Sequence, residues 1–117
     1  MNSDTKEIYD SAIDTLLVGI NNDYINWTSN WDNPENSRKK FKEELSVKSG
    51  RKFDKILHGN SVWGFVAKKD GVLKGIPYFV GDVFKPAGWR APAKHVRGSI
   101  FDGTSDWYQW TGPNYLI

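Results

Sequence analysis

The apolar residues change their period near residue 50, and no other feature constrains the fold as strongly. Over residues 4–20, Ile8, Ala12, Ile13, Leu16, Leu17 and Ile20 recur with helical spacing and form one stripe. Asp4 and Glu7 have the spacing of a capping box, and the acidic start suits the positive end of a helix dipole. Asn21-Asn22 predicts a stop, because Asn tolerates the left-handed conformation. The polar residues 21–33 then read as an ordered loop holding Trp27 and Trp31. A second helix is expected with Asn33 as cap and Pro34 at its first position, running to about Lys48, with Gly50 as its C-terminal cap. Its apolar side is thin: Phe41, Leu45 and Val47.

From residue 51 the period is two. Lys52–Leu57 reads as a strand, and residues 58–61 as a tight connection. Val62–Lys69 is the clearest strand, with Val62, Gly64 and Val66 on one face and Trp63, Phe65 and Ala67 on the other. Asp70-Gly71 predicts a turn, and Tyr78–Lys85 a third strand. Two helices followed by a sheet mean an α+β protein, with two N-terminal helices packed on a small antiparallel β-meander. Residues 1–117 are expected to form a single domain, with a helical part at 1–49 and a β-rich part at 50–117. Six Trp, six Phe and five Tyr supply much of its core.

Past Lys85 the alternation breaks into two prolines, two glycines and small residues, which cannot continue a central strand. A one-turn helix is expected at Ala93–Val96 with Pro92 at its first position. Ser99–Phe101 reads as a short strand, Asp102-Gly103 as a turn and Trp107–Trp110 as a last strand.

This stiff loop is the richest in chemistry. Lys85, Arg90, Lys94, His95 and Arg97 lie within residues 85–97 with no acidic residue among them, and Trp89 adjoins Arg90. Cations on a Pro-limited backbone beside an aromatic plane suit a phosphate-bearing ligand, since Arg grips phosphate in bidentate fashion and Trp stacks on a base. The competing reading puts Trp89 in the core and the cations on a solvated rim. Trp107 and Trp110 belong to an aromatic tail reaching Tyr115 and Leu116, which reads as a closing strand or as a patch for a partner. Net charge is +2, divided as −3 over residues 1–50 and +5 over 51–117. So small an excess argues against strong nonspecific DNA binding.

Catalysis finds little support. His58 and His95 are the only histidines and there is no cysteine, which also excludes disulfides and Cys-based zinc sites. Asp102 beside His95 lacks a serine elbow, and Asp70 and Asp102 precede glycines as turn residues do. No phosphate loop or dinucleotide fingerprint is present. The expectation is a non-enzyme without metal or cofactor. Residues 1–20 carry four acids and no signal-peptide pattern, and no run approaches the roughly 20 apolar residues of a membrane span, so no membrane contact and a cytoplasmic location are expected.

Four segments carry a resemblance: Gly50–Phe53, Gly59–Val66, Gly81–Trp89 and Ala91–Gly98. Together they resemble a set of small proteins encoded by tailed bacteriophages. The likeness covers about residues 50–117, and its most specific piece is Trp89–Gly98, in the pattern W-x-A-P-A-K-x-x-R-G. It implies an accessory protein in the host bacterial cytoplasm that binds a host protein, such as a defence factor, and modulates or inhibits it. Lys85, Trp89, Arg90, Lys94, His95, Arg97, Trp107 and Trp110 are the candidate contact residues. The alternative is a module that binds nucleic acid or a nucleotide through the cationic loop 85–97. A dimer built on the aromatic tail is compatible with both.

Overall fold

The computed structural model of the protein describes residues 3–103 and 106–114. It is α+β, with two helices and a mostly antiparallel sheet arrangement. Helix α1 spans Ser3–Trp27 and α2 spans Glu35–Glu44. Strands β1 (Leu45–Ser49), β2 (Phe53–His58), β3 (Ser61–Ala67), β6 (Asp82–Pro86) and β7 (Pro92–Ser99) form one sheet in the order β1-β2-β3-β6-β7. Two separate hairpins complete the fold: β4 (Gly71–Leu73) with β5 (Ile76–Tyr78), and β8 (Tyr108–Gln109) with β9 (Gly112–Pro113).

Helix α1 runs past Asn21-Asn22, where a stop was expected. The reason lies in its buried side, Tyr9, Ile13, Leu16, Ile20 and Tyr24, which continues one stripe beyond the asparagines. Ile8 is not part of that stripe and is 61% exposed. Burial of each large side chain contributes roughly 1.5–3 kcal/mol, which outweighs the weak helix propensity of Asn. The helix ends where Arg38 of α2 takes over its last carbonyls. Arg38 Nη2 donates to the Ile25 carbonyl at 3.1 Å, and its Nε donates to Thr28 Oγ1 at 2.9 Å. Trp27 is therefore the last helical residue rather than a loop residue.

Helix α2 is shorter than expected. Asn33 has a left-handed backbone (φ 52°), Pro34 occupies the cap position, and the helix stops at Glu44. Leu45 turns extended, and residues 45–49 pair along β2 from Leu45↔His58 to Ser49↔Asp54. Gly50 does not cap a helix. Its N–H donates to the Phe53 carbonyl at 2.9 Å in the tight turn between β1 and β2.

A bulge lies opposite the Ile56/Leu57 step, so that Ile56 faces Gly64 and Leu57 faces Val62. Trp63 consequently joins Val66, Ile56 and Val83 in the core under α1, whereas Phe65 and Ala67 join Tyr78 and Phe84 in a second core on the other face. Strict alternation had put Trp63 with Phe65. The expected strand Tyr78–Lys85 is broken at residues 79–81. Asp82 Oδ2 accepts the Phe79 N–H at 2.8 Å, Asp70 Oδ1 accepts the Val80 N–H at 2.9 Å, and Gly81 has φ +89°. Burial, and secondarily Asp70, pushes the Asp82 carboxyl above its usual range.

Residues 92–99 form an eight-residue strand, not a one-turn helix. Pro92 is tolerated because β7 is an edge strand and Pro92 opens it, opposite Pro86. Ser99 ends β7, and Ile100 and Phe101 turn away. Gly98 lets the Trp107 ring lie directly on the strand, where a Cβ would overlap it.

Candidate functional site

Strand β2 sorts its side chains by the pleat. Asp54 and Ile56 point to the α1 side, and Phe53 joins the second core on the opposite side. Lys55 follows Phe53. Its Nζ lies 5.8 Å from the centroid of the Phe65 ring and 4.3 Å from that of Trp89. The acid of this segment is thus turned away from its lysine. Asp54, 7% exposed, accepts the Tyr9 hydroxyl at 2.8 Å.

Pairing of β1 with β2 then sets Lys48 directly opposite Lys55. Like charges facing each other across two strands are unfavourable by a few tenths of a kcal/mol or more. Both lysines line one cleft of about 300 Å³ together with Arg51, Lys52 and Arg90. Phe53 and Phe65 form its apolar wall, Ser49 and Gly50 contribute at the β1–β2 turn, and among the described residues no Asp or Glu lines it. The turn is held from beneath by Lys68, whose Nζ donates to Ser49 Oγ at 2.8 Å and to the Gly50 carbonyl at 3.0 Å. The same ammonium stands 3.9 Å from Asp54 Oδ1. Phosphate oxygens are what such a ring of guanidinium and ammonium donors around an apolar wall is equipped to hold.

The candidate residues read from the loop separate in space. Arg90 lines the cleft, and Trp89, 47% exposed, stands at its edge over Lys55. The reading of Trp89 as a core residue is therefore incorrect. Lys85 and Arg97 are half-buried beside the β8–β9 hairpin. Arg97 reaches the Asn114 carbonyl, and burial together with Arg97 lowers the Lys85 pKa. Lys94 and His95 are exposed on β7. Trp107 is half-buried against Gly98 and Tyr108. Trp110 is half-buried among Tyr24, Trp27 and Phe41, and its backbone N–H donates to Asp23 Oδ2 at 2.8 Å. Tyr115 and Leu116, the end of the aromatic tail, lie outside the described residues.

Lys48, Arg51, Lys52 and Lys55 were missed as site residues. The signal was present: four cations at positions 48, 51, 52 and 55 with Asp54 as the sole acid. Assigning Lys48 to a helix removed it from the face that Lys55 shares.

Residues 1–116 match a family described as "Family of unknown function (DUF7717)". The chain belongs to that family. No curated protein and no solved structure matches it. The family's description names no activity, origin or partner, so the cleft itself carries the functional argument. Among the described residues no three His, Cys, Asp or Glu side chains gather to hold a metal ion. Among the same residues no helix is long and apolar enough to cross a membrane.

Proposed function

We propose that this family member is a non-catalytic binding module whose cationic cleft holds a phosphate-bearing ligand. The observation that carries the reading is the facing pair Lys48 and Lys55, joined around one cleft by Arg51, Lys52 and Arg90 with no acid in its wall. Lysines that face each other across two strands are mutually unfavourable, and an anion between them relieves this. A modest net charge of +2 does not oppose the reading, because five cations share one cleft whose described lining holds no acid.

The test is binding of inorganic polyphosphate and of labelled oligonucleotides, compared with a variant carrying Lys48→Gln, Arg51→Gln and Arg90→Gln. The unaltered protein should bind in a strongly salt-dependent way, and the variant should lose both affinity and salt dependence, by up to about one unit of slope per lost phosphate contact. Absence of any polyanion binding at low salt would refute the proposal.

A protein partner, as the bacteriophage resemblance implies, is the second reading. What favours it is a different surface: Trp27 and Trp31 are 54% and 44% exposed, with ring centroids 5.1 Å apart. Retention of one host protein from nuclease-treated lysate, lost on Trp27→Ala with Trp31→Ala and kept in the cleft variant, would support it over the first.

A further inference from the structure

We infer that the ligand of the cleft is single-stranded nucleic acid, with its phosphates on the ring of cations and a base stacked on Trp89. The inference rests on the phosphate-binding reading above and adds what the aromatic residues contribute to it. Five cations come from one hairpin and one separate loop: Lys48 on β1, Arg51 and Lys52 on the turn, Lys55 on β2, and Arg90 on the loop between β6 and β7. Five cations around one cleft can meet more than one phosphate of a chain.

Trp89 supplies the second element. Its indole is held by the Lys55 ammonium at 4.3 Å from the ring centroid, yet 47% of the residue stays exposed. A cation on part of the ring fixes its orientation and leaves aromatic surface for another flat group. In a duplex the base faces are covered by their neighbours, so an aromatic plane at the rim of a cleft finds nothing to stack on. In a single strand every base has a free face. Phe53 and Phe65 extend the apolar wall behind the cations, as a base leaving water requires.

Fluorescence anisotropy with a labelled single-stranded oligonucleotide, its duplex and competing inorganic polyphosphate tests the inference, using Trp89→Ala and Trp89→Phe, both in an exposed loop and checked for folding by circular dichroism. Single strand should bind more tightly than duplex. Trp89→Ala should lower single-strand affinity roughly tenfold or more relative to its effect on polyphosphate, and Trp89→Phe should restore part of the loss. Equal affinity for duplex and single strand, or loss of both ligands in parallel in Trp89→Ala, would overturn the inference and leave the phosphate-binding reading standing. Failure of the unaltered protein to bind any of the three polyanions would remove both.

Discussion

The Tyr9 hydroxyl in α1 donates a 2.8 Å hydrogen bond to Asp54 Oδ2 in β2, across 45 positions of sequence. This bond fastens the long helix to the strand that carries Phe53 and Lys55 into the cleft on the other face. Asp54 itself lies on the face opposite Lys55, 3.9 Å from the Lys68 ammonium that also holds the β1–β2 turn.

Tyr9→Phe should cost about 1.5–3 kcal/mol in urea denaturation, because a buried carboxylate loses its donor. A pH dependence follows as well. Burial, then the bond to Asp54, raises the Tyr9 pKa above its ordinary 10.0. A group whose folded pKa is raised stabilises the fold fully below its unfolded pKa and loses that contribution as pH climbs toward the folded one. Stability should therefore decline from about pH 10 upward, and decline less steeply in Tyr9→Phe. Tyr108, also raised by burial and by Asp23, adds a part that the variant retains.

Arg38→Ala should unfasten the end of α1. The guanidinium serves the Ile25 carbonyl and the fully buried Thr28 hydroxyl at once, and both would be left with less than their complement of partners. A loss of about 1.5–3 kcal/mol is expected by chemical denaturation. Hydrogen exchange should quicken in residues 24–28 before it quickens in β3.

Lys48→Glu should move stability and binding in opposite directions. Replacing one of two facing lysines by a carboxylate turns a repulsive cross-strand pair with Lys55 into an attractive one, worth roughly 0.5 kcal/mol. The melting temperature should rise slightly while polyanion affinity falls. A drop in both would mean that Lys48 holds the fold together rather than waits for a ligand.

Much of the sheet was legible. The strands Phe53–His58 and Ser61–Ala67 stand within a residue or two of where the sequence places them, because burial alternates along the first and the second is a run of apolar residues covered on both faces. Strand β1 left none. Four of its five residues are exposed, and its conformation comes from hydrogen bonds to β2 rather than from an apolar face of its own. Strand β7 was hidden by Pro92 at its start, which signals against a central strand and says nothing against an edge. Trp89 and Arg90 could be singled out from composition alone, and the structure puts Arg90 in the cleft lining and Trp89 against its Lys55, whereas Lys85 and Arg97 from the same segment go elsewhere.

By itself the sequence determined the α+β order, the two central strands and the presence of a cation-rich, aromatic-bearing loop, because these depend on local period and local composition. Only the tertiary structure decided that Lys48 faces Lys55, that Trp63 crosses to the helix side at a bulge and that Arg90 arrives beside the β1–β2 turn. Those are relations between segments distant in the chain. They are fixed by strand register and by which faces are covered, and neither is recorded in the spacing of residues along one segment.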